Sequence, residues 1–176
     1  MAIQIITDSA SDVRPGEYSN ITVLPTTSQI PPYDFSEAIR PIREQGDEVL
    51  IITMSAKLSG TYQSAVLAAS EFADGVAVVD SSNATMGEKA LICYALQRIE
   101  QGTSLTALAD ELNIAKDRIR LIALLDTLEY LKKEVVCPQV PPRWENCCPL
   151  SRFSPSQMGT SMSLVRRTVP KTDIIC

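Results

Sequence analysis

Short apolar runs alternate with helical periodicities over the first 133 residues. Ile3-Gln4-Ile5-Ile6-Thr7 predicts a first strand, and Ile21–Leu24, Val49–Met54, Val76–Val79 and Ile119–Leu125 have the β-branched, nearly continuous hydrophobicity of strands covered on both faces. Between them Phe35, Ile39 and Ile42 recur at i, i+4, i+7. Tyr62, Ala65, Val66 and Ala69 share one helical face, as do Leu91, Ala95, Leu96 and Ile99. Gly102 ends one helix, Leu105, Leu108 and Leu112 define the next, and Asp126 with Glu129 forms a D-x-x-E capping pattern that opens another through Tyr130. The pattern predicts an α/β fold, a mainly parallel sheet flanked by helices on both faces, with all five strands in one sheet.

After Lys133 the pattern stops. The remaining stretch holds Cys137, Cys147, Cys148 and Cys176 of the five cysteines, six of the eleven prolines, the only tryptophan, and just Glu134, Glu145 and Asp173 of the 21 acidic residues. Val140-Pro141-Pro142, Cys147-Cys148-Pro149 and Ser154-Pro155-Ser156 interrupt every candidate element there. The expected organisation is an α/β domain over 1–133 and an irregular Cys/Pro-rich tail over 134–176.

Composition narrows the chemistry. With 176 residues and 45% of them hydrophobic, the chain can bury a real core. A net charge of -5 without a basic patch argues against a nucleic-acid partner. No apolar run reaches the roughly 20 residues a spanning helix needs, and no secretory leader is visible, so the expected location is cytoplasmic. Histidine is absent, which removes Ser-His-Asp and Cys-His nucleophile pairs and imidazole-ligated zinc. An enzyme acting through Ser59 would lack an activating base, so none is expected. The cysteines have no metal or disulfide spacing and read as reduced thiols.

The informative residues follow the strands. Thr7-Asp8-Ser9-Ala10-Ser11, Thr26-Thr27-Ser28-Gln29, Ser55 to Thr61, Asp80-Ser81-Ser82 and Asp126-Thr127 would all converge at the carboxyl edge of a parallel sheet, the usual ligand side. Ser, Thr and Asp are also the preferred helix caps, and for Asp80 and Asp126 capping is the expectation. Ser59-Gly60-Thr61 differs, since it sets two hydroxyls around a small residue where strand becomes helix. There ligand contact is the favoured reading. For Thr26-Thr27-Ser28 an ordinary polar turn and a binding loop are equally open, because Pro25 already explains a loop. Neither G-x-G-x-x-G nor G-x-x-x-x-G-K-[ST] occurs, and Lys57 is the only cation in these loops, so no nucleotide, metal or other cofactor is expected. Asp8 would repel a multiply charged ligand. A single carboxylate fits better.

These same stretches carry a family resemblance. Ile5-Ile6-Thr7-Asp8-Ser9-Ala10-Ser11-Asp12, Thr26-Thr27-Ser28-Gln29, Leu58-Ser59-Gly60-Thr61-Tyr62-Gln63-Ser64-Ala65 and Asp126-Thr127-Leu128-Glu129-Tyr130-Leu131-Lys132-Lys133 resemble, in order, four motifs of the DegV family of bacterial fatty-acid-binding proteins. The resemblance implies two α/β domains with a long-chain fatty acid between them, its carboxylate held by hydroxyls. It implies Thr26, Thr27 and Ser59 as carboxylate contacts, with Ser28, Gly60 and Thr61 shaping their loops. It also implies a lipid carrier that serves a separate fatty acid kinase subunit rather than an enzyme.

Two departures from the family stand out. A segment normally found between the strand matching Ile21–Pro25 and the T-T-S-Q motif is missing, and beyond Lys133 the Cys/Pro-rich tail replaces the C-terminal domain. At Lys133 the resemblance ends and the composition changes together, which predicts a frameshifted, truncated product with impaired binding. The alternative is a remnant without ligand that self-associates through its exposed former domain interface.

Overall fold

The computed structural model describes residues 1–125 and 162–166, with side chains through residue 121. Its elements run β1 (Ile3–Asp8), β2 (Ile21–Leu24), α1 (Pro32–Glu44), β3 (Glu48–Thr53), α2 (Thr61–Ala69), β4 (Val76–Asp80), α3 (Met86–Glu100), α4 (Leu105–Ala115), β5 (Leu121–Leu125) and β6 (Met162–Arg166). The chain divides into two compact units, Met1–Arg120 and Leu121–Cys176.

In the first unit four strands form one sheet in the order β2-β1-β3-β4, every pairing parallel. Ile5 lies opposite both Ile21 and Leu50, and Ile51 opposite Val78. Alternation along the strands divides the core into two layers. Ile3, Ile5, Leu50, Ile52 and Val79 pack against Leu91, Ile92 and Ala95 of α3 and Leu105, Leu108 and Leu112 of α4. On the other face Ile6, Val49 and Ile51 pack against Phe35 and Ile39 of α1 and Ala65 and Ala68 of α2. The nearly continuous apolar runs of β1 and β3 thus have their physical reason, since these central strands are covered on both sides. Pro32 starts α1 at a position that needs no donor, and Gly102, at φ 78°, follows the last turn of α3. Among the described residues no helix is long and apolar enough to cross a membrane.

Two expectations fail here. The fifth strand is not in the main sheet: β5 belongs to the second unit and pairs in parallel with β6, Leu121 opposite Met162 and Leu125 opposite Arg166. An apolar run specifies a strand without specifying its neighbour. The tail is also not irregular throughout, because Met162–Arg166 is a strand. It lies in the proline-free window between Pro155 and Pro170, so each of its residues keeps an N–H for the ladder. The helix expected after Asp126, the motif over 126–133 and the compositional change at Lys133 lie outside the described residues.

The buried face of α2 is also turned from the expected one. Thr61, Ser64, Ala65 and Ala68 are buried, while Val66 and Leu67 face water. Hydrogen bonds decide this, because Thr61 Oγ1 accepts from Ile30 N at 3.3 Å and Ser64 Oγ from Gln29 Nε2 at 2.9 Å. Satisfied hydroxyls can be buried at little cost.

Phe35 has no exposed surface and is the largest fully buried side chain of the α1/α2 layer. Phe35→Ala should lower unfolding stability by about 3–5 kcal/mol, read as a fall in denaturant midpoint at unchanged slope. A loss below 1 kcal/mol would contradict this packing.

Candidate functional site

Parallel pairing sends the exits of β1, β2, β3 and β4 to a single edge, and side-chain hydrogen bonds knit the four loops there. Thr26 N donates to Ser9 Oγ at 3.0 Å, which ties the β2 exit to the β1 exit. Met54 N donates to Asp8 Oδ2 at 2.8 Å, and Ala56 N to Asp80 Oδ1 at 3.1 Å. Thr85 N reaches Ala10 O at 2.8 Å, and Ser55 N reaches Asn83 O at 2.7 Å.

Ser59 sits at the centre of a hydroxyl chain. Its Oγ donates to Ser28 O at 2.7 Å, contacts Thr61 Oγ1 at 2.9 Å and accepts from Thr61 N at 3.2 Å. The structure therefore brings Ser28, Ser59 and Thr61 together, joining the two hydroxyl-rich motifs directly. Gly60 is held small by Gln29, whose Oε1 would stand 2.6 Å from a Cβ at that position. Any larger residue would displace the side chain that bonds Ser64. Thr27 and Ser28 are exposed, whereas Thr26 is half-buried with its Oγ1 enclosed and without a partner. Of the six expected site residues, Thr26 alone holds an unused, enclosed hydroxyl.

The carboxylates behave differently from expectation. Asp80 does not cap the next helix, whose N-cap is Thr85; its Oδ1 instead accepts from Ala56 N and from Ser82 N at 2.8 Å. The four residues between Asp80 and Thr85 carry α3 too far from the strand end for a cap. Asp8 uses both oxygens on amides, Oδ1 on Ala10 N at 2.9 Å and Oδ2 on Met54 N. Burial raises its pKa, and the Met54 and Ala10 amides pull it part of the way back.

Behind this edge lies Glu88, in the first turn of α3 and fully buried. Thr7 Oγ1 donates to its Oε1 at 3.1 Å, while Oε2 has no partner. Burial first, and then the negative charge of Asp8, push its carboxyl well above the ordinary range; Thr7 opposes, and Asp12 and Asp80 add to the rise. Glu88 was not among the expected site residues. The signal was present, because Glu88 stands on the stripe of Leu91, Ile92 and Ala95 at i, i+3, i+4 and i+7. A titratable residue on an apolar stripe must be buried or distort the packing.

Comparison with known proteins gives a consistent picture. The DegV family model, described as uncharacterised protein, DegV family, matches residues 18–134. The DegV domain-containing protein CPE1310 of Clostridium perfringens is 38% identical over 109 residues, which cover 61% of this chain and 39% of that protein. A DegV domain-containing protein of Deinococcus radiodurans is 30% identical over 166 residues, 75% of this chain and 59% of that one. Among solved structures, a fatty-acid-binding DegV family protein from Thermus thermophilus superposes with a TM-score of 0.61 at 33% identity, over 66% of this chain and 54% of the other. The Thermotoga maritima protein TM841, which has a fatty acid binding function, gives 0.60 at 26% identity over 66% and 56%. The chain spans 39% to 59% of the length of these relatives.

Glu88 makes stability depend on pH. Its folded pKa lies above the ordinary value of 4.5, so the folded state keeps the proton longer than the unfolded chain. That contribution is complete below pH 4.5 and is lost as pH rises toward the folded pKa. Glu88→Gln keeps an acceptor for Thr7 and carries no charge. The variant should gain stability over the parent progressively above pH 4.5, measured as a widening difference in melting temperature. Parallel curves would mean that Glu88 is not buried as described.

Proposed function

The chain belongs to the DegV family, and from that premise we propose that its hydroxyl edge holds the carboxylate of a long-chain fatty acid. The observation that carries this reading is the enclosed, partnerless Thr26 Oγ1, two residues from the carbonyl on which Ser59 rests. A hydroxyl shut away from water without an acceptor costs about 1–3 kcal/mol, and a ligand carboxylate that opened its enclosure would recover that loss. Thr26, Thr27 and Ser59 are the proposed contacts, with Ser28, Gly60 and Thr61 holding their loops. Residues 1–133 form the proposed carrying unit, apart from 134–176. The fatty-acid-binding relatives from Thermus thermophilus and Thermotoga maritima support the choice of ligand. The finer reading is of a cytoplasmic carrier that presents the carboxylate to a separate fatty acid kinase subunit and is not itself the enzyme.

Thr26 and Ser59 allow a clean test. Thr26→Val preserves shape and removes an enclosed hydroxyl that makes no bond, so fatty-acid affinity should fall about ten- to hundredfold while the melting temperature of the free protein rises. Ser59→Ala breaks three contacts of the free protein and should cost about 0.5–2 kcal/mol of stability as well as affinity. Titration with a fatty acid, followed by calorimetry, separates the two. Unchanged affinity in both variants would remove the carboxylate from this edge, and an unliganded chain that self-associates would favour the remnant reading.

A further inference from the structure

We propose that Asp8 and Asp80 act as a pair of positioning residues that clamp the exit of β3 from its two sides and so set Ser59 where a ligand carboxylate meets it; the inference rests on the fatty-acid reading of this edge. Strand β3 lies between β1 and β4. Each neighbour ends in an aspartate, and each aspartate accepts one N–H from its own following turn and one from the segment leaving β3. Asp8 takes Ala10 N and, 46 residues away, Met54 N. Asp80 takes Ser82 N and, 24 residues away, Ala56 N.

A turn-capping role needs only the local bond of each pair. The long-range bonds fall on two amides of one segment, Met54 N and Ala56 N, which flank Ser55, the residue whose carbonyl accepts from both Leu58 N and Ser59 N. Ser59 then meets Ser28 across the gap. Holding Met54 and Ala56 thus fixes the start of the turn that carries the hydroxyl. Both clamps act through backbone amides.

The two clamps differ in a way that can be measured. Asp80 receives both donors on one oxygen, Oδ1, so an asparagine with its amide oxygen in that place keeps both bonds. Asp8 receives its donors on different oxygens, so an asparagine must turn its NH2 against either Ala10 N–H or Met54 N–H. Conservative substitution should rescue one site and fail at the other.

The test uses the full chain, with oleate as the probe ligand. Amide hydrogen exchange reads the clamp without ligand, and oleate titration reads its effect on the site. Asp80→Asn should match the parent in both readouts, whereas Asp80→Ala should speed exchange at Ala56 and weaken oleate about tenfold. Asp8→Asn should speed exchange at Met54 or Ala10 and weaken oleate by a similar factor. The clamp is overturned if Asp80→Asn behaves like Asp80→Ala, since charge rather than oxygen position would then matter. It is overturned equally if Asp8→Asn leaves both amides protected and affinity unchanged. Should Asp8→Asn not fold, the Asp80 pair decides alone. A parent chain that binds no oleate while the exchange pattern holds sinks the fatty-acid reading and the ligand role of the clamp, leaving only the backbone contact.

Discussion

Where parallel strands end together, the backbone N–H groups beyond the last ladder pair lose their partners at once, and each needs an acceptor. In this chain the acceptors are side chains and carbonyls from the neighbouring strand exits. Asp8, Asp80 and Ser9 receive Met54 N, Ala56 N and Thr26 N, while Asn83 O and Ala10 O receive Ser55 N and Thr85 N. The loops cannot move independently as a result. Their bonding brings α3 down on the edge through Thr85, and that approach buries Glu88 against Thr7. The non-glycine residues with positive φ among those described, Asp12, Ser82 and Thr85, all lie in these same loops. Backbone strain gathers where surrounding bonds over-determine the conformation.

The fold was largely legible because its two periods are clean. The runs at Ile3, Ile21, Val49 and Val76 became β1 to β4, and Phe35 with Ile39 and Leu105 with Leu108 and Leu112 mark the inner faces of their helices. What failed was partnership. The run ending at Leu125 is a strand, but nothing in its residues distinguishes the main sheet from Met162–Arg166 as its neighbour. For α2 the buried face is rotated from the one the hydrophobic period named: Ala65 is buried as expected and Val66 is exposed, while Thr61 and Ser64 are buried with hydrogen bonds that hydropathy does not register.

The candidate site was legible as a set of neighbouring loops rather than as a bonding pattern. Strand exits rich in hydroxyls pointed to one edge, and the structure joins Ser28, Ser59 and Thr61 there. Which hydroxyls are already engaged depends on distances that sequence does not contain. Asp8 and Asp80 read as a repulsive charge and a helix cap, yet both are acceptors for amides far along the chain. Gln29 belonged to a recognised motif, but its closeness to Gly60 and its bond to Ser64 appear only in three dimensions.

On the fatty-acid reading, the state of each hydroxyl before binding ranks the contacts. The Ser59 proton already rests on the Ser28 carbonyl, so a carboxylate must replace one acceptor with another. A neutral hydrogen bond contributes about 0.5–1.5 kcal/mol and a charge-assisted one about 1.5–3, which leaves Ser59 a net gain of about 1 kcal/mol. Thr26 Oγ1 gives up nothing, because it has no partner to lose. Its gain is the full charge-assisted bond, together with relief of an unsatisfied enclosed hydroxyl. Thr26 therefore contributes more to holding the carboxylate than Ser59 does, although Ser59 is the better connected. On that reading the engaged hydroxyls keep the edge in shape, and the enclosed, unengaged hydroxyl of Thr26 adds more to the carboxylate's affinity than Ser59 does.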